Sequence, residues 1–527
     1  MNSIKTFLIA LGLFACSFAY SQAPQRMAYQ SIIRNTGGSL VVSSAIGVKV
    51  SILRDSETGT VVYQETFNGS TNENGLLTLE IGGGTPVSGT FSAIDWTTGI
   101  YFVKTETDPA GGTNYSITGI GQLLSVPYAF YAAGTPNQGK TSIVLTGDIT
   151  NAEAAAQIAR ESGYNTENIL IINTTQLTTV DFPAITGLLT IDVSENASLT
   201  NVSFSALTKI FRDVDIKGNP NLAQINFPVL KNIYGKDFSI NSNILLQTIS
   251  MPLLETASSA YCRFISNYAL TQLSLGALQK AATIDIINNI GLTSISLPQL
   301  TKCSSTLNIQ GNLGLTSVNL NLLNQVSVFA VHSNPLITNL SFPQATSFSN
   351  VGIENCAALQ SVSMPLLNGS NFVVQNVPAL TSLNLAAFDT GDLMVINSGL
   401  TTFSLPNLHH PRSVSLTGNS QLTSVDFSTI QSVETSLGAT YNPNLTAINF
   451  PNNLVIGIGA QPGSIYLNNN RLNSTVVNSV LNKAVNYTPA TGHSYYLQDQ
   501  SPAAPPTGQG LIDKQTLINN GNNVTTD

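Results

Sequence analysis

Charge is what this 527-residue chain has least of. Only 9% of its residues are Asp, Glu, Lys or Arg, and its 20 basic residues form no run. Polyanion binding needs clustered Lys and Arg, so the composition and the net charge of −8 speak against a nucleic-acid partner. Histidines number four. The His409-His410 pair sits before Pro411, without the i,i+4 spacing of a helical zinc site. Of four cysteines, Cys262, Cys303 and Cys356 remain beyond the N-terminal leader. Three scattered thiols make neither a CxxC motif nor a disulfide framework, and Cys262 falls at an inward-facing position. There is no nucleophile elbow and no Ser-His-Asp set, and the glycines of IGGGTPVSG follow a strand without opening a helix. Past the leader, no apolar run reaches the ~18 residues of a membrane span. No cofactor or metal is expected.

What the chain has is 42% hydrophobic residues with abundant Thr, Ser, Asn and Gly, the profile of a secreted β-rich protein. The start, MNSIKTFLIALGLFACSFAYSQA, reads as a leader (1–21) cleaved near Ser21: Lys5, an apolar core, then Ala19-Tyr20-Ser21. Leu13-Phe14-Ala15-Cys16 offers an alternative lipid anchor at Cys16, against which stand the bulky Phe14 and the apolar residues that follow. The expected location is secreted or cell surface, in a bacterium.

One phrase then recurs: ENASLTNVSFSAL, NPNLAQINFPVL, NIGLTSISLPQL, NPNLTAINF. Its leucine returns from Leu177 to Leu445 at about 22 residues per step. An asparagine keeps pace at Asn173, Asn196, Asn219, Asn243, Asn267, Asn289, Asn312, Asn334, Asn355, Asn376, Asn397, Asn419 and Asn442, and again at Asn470. Short period-two alternations flank it, as in Ile191-Asp192-Val193 before and Val202-Ser203-Phe204 after, so each repeat holds two strands. Prolines such as Pro228, Pro252 and Pro298 stop the second strand, and no room is left for a long helix. About thirteen coils ~4.8 Å apart would make a rod on the order of 60 Å long. A side-chain amide can donate and accept at once, so the stacked asparagines (Asn196, Asn219, Asn243, Asn267, Asn289, Asn312, Asn334, Asn419, Asn442) predict a structural ladder, with the leucines filling the interior.

The pattern φxφxxNxxLxxφxφPxL, φ being apolar, resembles the leucine-rich repeat superfamily, closest to receptor L domains and bacterial surface repeats of the LTSVSLP type. Its leucine comes three residues after the asparagine, where the common form places it two after. The resemblance covers residues 165–475 and implies a right-handed parallel β-solenoid and recognition of a partner, without naming one. The expected fold is mainly β: an N-terminal antiparallel β-sandwich (22–133), a linker (134–140), a helical cap (141–164) opened by the capping box Thr150-Asn151-Ala152-Glu153, the solenoid, and a C-terminal cap (476–527). The sandwich rests on strands such as IGVKVSILRD and TGTVVYQETF, with Trp96 and Tyr101 as core residues. The set MAYQSIIRN, TGTVVYQE, FSAIDWTTGIYFVK and GQLLSVPYAFYA resembles an N-terminal domain common in secreted Bacteroidota proteins, of undefined role.

Outward columns are where function would lie. On the second strand they are uniformly small and polar, from Asp181 and Ser203 to Asn449, as expected of a hydrated scaffold. The first-strand face varies, and variety is what selective recognition requires. Asp192, Asp215, Ser239, Arg263, Asp285, Asn308 and His332 are its candidate binding residues. Asp192 and Asp215, one coil apart, could act as nucleophile and acid on a sugar or hold Ca²⁺; with Lys209, Arg212, Lys217 and Lys236 nearby they read first as a solvated charge cluster. The expected function is non-catalytic recognition or adhesion to a protein or glycan, the alternative a polysaccharide-acting β-helix hydrolase or lyase.

Overall fold

The computed structural model describes residues 26–96, 99–123, 138–457 and 462–527. The leader with Cys16, the GQLLSVPYAFYA stretch past Leu123, linker residues 134–137 and part of the turn before Asn470 lie outside the described residues. The chain divides into two compact units after residue 136.

In the first unit, alternation yields two antiparallel sheets. One has five strands in the order Thr85–Ser88, Thr60–Ser70, Ala45–Arg54, Tyr101–Asp108, Ile117–Gln122; the other pairs Met27–Ile32 with Leu76–Ile81. Val48, Val50 and Ile52 face inward with Tyr63 and Tyr101, and an edge-on aromatic chain runs Tyr63, Phe91, Trp96, Tyr101. Both aromatics expected in the core are in it, Trp96 partly buried against its edge.

The second unit is a parallel β-solenoid. Its largest sheet, here sheet A, has 20 strands. It is built from the alternating segments before each asparagine, beginning at Ser142–Gly147 and ending at Asn523–Thr525. The three-residue strands after each leucine form shorter parallel ladders on a second side, interrupted between Ser274 and Ser294, Asn319 and Asn339, and Asn384 and Thr402. The leucine column is buried throughout. Beside it, Phe182, Phe204 and Phe227 stack face to face at 5.0 Å per step.

The nine named asparagines form the ladder, and at four coils another residue takes the place beside a recurring asparagine. Each ladder amide accepts from the backbone N–H of the previous ladder residue and donates to a strand carbonyl one coil back. Asn289 Oδ1 takes the Asn267 N–H (3.2 Å) while its Nδ2 donates to the Phe264 carbonyl (2.8 Å). The nine asparagines from Asn196 to Asn442 named above all do this, and Asn470 joins them. Asn173, Asn355, Asn376 and Asn397 do not. They stand one residue earlier, at left-handed φ of 51–55°, and Thr174, Cys356, Val377 and Ser398 hold the buried position. That preceding residue turns left-handed at every coil, as Glu195, Gly218, Ser242 and Asn288 show. Asn and Gly suit it, since both tolerate this region best. The displaced amides make an exposed ladder of their own, Asn397 to Asn376 (2.8 Å) to Asn355 (3.0 Å).

Both ends are closed by helices. Helix α1 (Asn151–Glu161) starts with the expected capping box, Thr150 Oγ1 accepting from the Glu153 N–H and Glu153 from the Thr150 N–H. The segment before it, expected as part of a helical cap, also supplies the first strand of sheet A. At the far end α2 (Ser474–Ala484) and α3 (Gln509–Asn519) cover the last coils, while Ser494–Tyr496 and Asn523–Thr525 extend the sheet. Gln500 does the ladder's work in this cap, its Nε2 donating to the Leu467 and Leu497 carbonyls.

The end of α1 is tied down by charge. The buried Glu161 carboxylate accepts from Lys140 Nζ (2.8 Å), Arg160 (3.0 Å) and Gln157 (3.2 Å). The Lys140 bond leads in holding its carboxyl down to about 2, against the opposing effect of burial. A folded-state value below the unfolded one stabilises the fold above the unfolded range near 4.5 and is lost as pH falls toward 2. Glu161→Gln should therefore cost about 1–2 kcal/mol at pH 7, the exposed Lys140 and Arg160 limiting the gain, with the difference closing near pH 2. Urea titration of α1 unfolding at the two pH values measures it.

Candidate recognition face

Strand register brings six of the seven candidate residues into one outward column of sheet A: Asp192, Asp215, Ser239, Arg263, Asp285 and Asn308 on successive coils. His332 stands one column over, aligned with Gln310 and Glu354, its Nδ1 3.8 Å from the Glu354 carboxylate. Past Asn308 the first column turns apolar at Ala330, Gly352, Val373 and Met394, and beyond Ser415 and Gly438 it reaches Tyr466 and Tyr496, stacked at 5.1 Å.

Charges on this face pair with one another. Lys217 donates to Asp215, which with Asp192 and Glu195 holds the ammonium above its ordinary range. Ser194 Oγ donates to Asp192 (2.7 Å), and Arg263 bridges to Asp237. Burial pushes the Asp285 carboxyl up, opposed by Arg263 and Asn308. Among the described residues no group of three His, Cys, Asp or Glu side chains could hold a metal ion. The thiols are inert: Cys262, Cys303 and Cys356 are buried, the first two pushed by burial to about 12.

The structure adds what repeat alignment misses. Phe211 and Tyr234, from the corner leading into sheet A, stack at 5.6 Å with rings 15° apart. Tyr261 aligns with Asp237 on the sheet, and Arg263 lies over its ring at 5.8 Å. All three aromatics are 45–51% exposed. Gly235 makes the stack possible, because a Cβ there would meet the Arg212 carbonyl oxygen at 1.4 Å. A stretch of only 46 residues, 192–237, also carries ten of the chain's 48 charged side chains, so one part of a neutral rod is singled out. The signal was present in the sequence as Phe211-Arg212-Asp213 and Tyr234-Gly235-Lys236-Asp237, where repeats disagree most.

Comparison with known proteins stops short of a family. Residues 28–118, within the first unit, match a family described as "Domain of unknown function (DUF8740)", which assigns no role. "Cell wall protein ecm33" of Schizosaccharomyces pombe is 26% identical over 221 residues, 37% of this chain and 51% of that protein. "Protein ecm33" of Aspergillus fumigatus is 26% identical over 223 residues, 42% and 54% respectively. The chain thus spans about half the length of these curated relatives. Both are fungal and lend no support to the expected bacterial source. The Drosophila Toll–Spätzle complex aligns with 81% of this chain and 71% of that one, at 10% identity and a TM-score of 0.19, too loose to bear on the fold.

Much of the remaining polar surface binds the coils to one another. Threonines after the repeat leucines donate to the carbonyl one coil back, as Thr200 to Thr178 (2.9 Å) and Thr423 to Thr401 (3.0 Å). Asp389 accepts from the backbone of both His409 and His410, closing a turn. No helix among the described residues is long and apolar enough to cross a membrane.

Proposed function

We propose that this is a non-catalytic recognition protein of the leucine-rich repeat type, exported to the cell surface or secreted, which engages a protein or glycan through the N-terminal third of sheet A. One observation carries the reading: exposed aromatics and paired charges of both signs gather together around Phe211, Tyr234, Tyr261 and Arg263 on one part of sheet A. Half-exposed aromatic and Arg side chains are the groups that dominate binding energy when covered. The Schizosaccharomyces relative is a cell wall protein, which supports a surface location.

Arrays of cell-surface proteins and cell-wall glycans probed with the chain lacking residues 1–21 should give a ligand. Tyr234→Ala with Phe211→Ala should weaken it about 30-fold or more by titration calorimetry, at ~2 kcal/mol for a hot-spot pair. Asp192→Asn with Asp215→Asn should change affinity by less than about fivefold, since both carboxylates already have partners within the chain. Glycan turnover that disappears in that double variant would replace recognition by catalysis.

A further inference from the structure

The corner where the asparagine ladder turns carries a second surface, unrelated to the recognition face. The residue after the ladder asparagine is Ile244, Tyr268, Ile290 and Leu313 in four successive coils, and Leu245 and Leu336 flank this row in the adjoining column. All six are 44–53% exposed. The turns stack directly, Ala269 N–H on the Ile244 carbonyl (3.3 Å) and Gly291 N–H on the Tyr268 carbonyl (3.0 Å), so the side chains form one ridge. Beside its middle the adjoining column carries no side chain: Gly291 and Gly314 occupy it with their backbones packed on the coil before, where a Cβ at Gly314 would meet the Ile290 carbonyl oxygen at 2.6 Å.

We infer that this ridge is a self-association surface, at which two copies of the chain pack about a two-fold axis near Ile290. Three observations select a second copy as the occupant. The first is charge. From 242 to 346 the only charged residues are Glu255, Arg263, Lys280, Asp285 and Lys302, all on sheet A strands or the corner leading into them, so the ridge offers a charged partner nothing to pair with. Shape is the second. The row has bulk at both ends and glycines beside its centre; reversed on itself, Tyr268 meets Leu313, Ile244 and Leu245 meet Leu336, and the middle side chains face the other copy's bare glycine backbone, the self-complementarity an isologous contact requires. The third is area. Six half-exposed large side chains present ~500–600 Å² of apolar surface, at the upper end for a free monomer, and with their Ser, Thr and Asn rims they approach the ~800 Å² per partner of a stable interface.

Sedimentation velocity on the chain lacking residues 1–21, from ~1 to ~200 µM, should show a monomer–dimer equilibrium. Ile290→Asp, at an exposed position, should keep the thermal midpoint and raise the dimer dissociation constant at least about 30-fold. Ile290→Cys should give a disulfide-linked dimer on mild oxidation, while Ser296→Cys on the second side should not; the native cysteines are buried and leave no background. A monomer across the whole range, a dimer indifferent to Ile290→Asp, or equal cross-linking by both cysteine variants would overturn the inference.

Discussion

Asn289→Leu is expected to cost the solenoid about 3–5 kcal/mol although leucine shares asparagine's branched shape. The amide is fully buried and serves three backbone groups: Asn267 N–H at 3.2 Å, Phe264 carbonyl at 2.8 Å and Ile287 carbonyl at 3.2 Å. Leucine satisfies none of them, and each buried group left unpaired costs ~1–3 kcal/mol, partly offset by the added apolar burial. The lesion should also change the form of unfolding. In a stack where each coil touches only its neighbours, one weak seam separates the halves. Urea denaturation followed by circular dichroism should then turn biphasic. Cys356→Ala is the internal control: it holds the same position with only weak sulfur contacts, 3.4 Å to the Glu354 carbonyl and 3.9 Å to that of Val331, and should cost less than half as much. Equal losses for the two would mean that the ladder contributes volume and not hydrogen bonds.

Phe204→Ala should be comparably damaging, about 3–5 kcal/mol, for a different reason. Phe204 lies between Phe182 and Phe227 with 5.0 Å to each ring and is fully buried. Removing the middle of a stacked trio leaves a cavity that the neighbours, fixed by strand pairing on both sides, cannot collapse into. Phe204→Leu keeps most of the volume and should recover at least half of the loss. Thermal denaturation of the two variants side by side separates volume from the face-to-face contact. A loss below about 1 kcal/mol for alanine would show that the coils relax freely along the axis.

Which of the recurring asparagines join the ladder is legible, for most coils, in the spacing to the core leucine. From Asn196, Asn219 or Asn243 the core leucine follows three residues later; from Asn173, Asn355 and Asn376 it follows four later, at Leu177, Leu359 and Leu380. The extra residue marks asparagines that occupy the left-handed turn position and not the ladder. Nothing local distinguishes the two roles by residue type, since an asparagine satisfies either. Ser398 is harder, because Leu400 follows after only two residues and the shortened corner restores the apparent spacing.

Much of this protein was determined by sequence alone. Period-two alternation and the recurring leucine specify strands and an inward column, because the pleat that alternates side chains is a local property of each segment. The β-solenoid, its caps and the one-column alignment of Asp192 through Asn308 follow from that. Only the tertiary structure decided what the corners do. Ladder spacing varies from 21 to 24 residues across the middle coils. The surplus falls at turns, where no periodicity records which neighbours will meet. There Phe211 came to lie on Tyr234, and Ile244, Tyr268, Ile290 and Leu313 in one row. Each contact joins residues a full coil apart, so it depends on the register of stacking, which no single repeat contains.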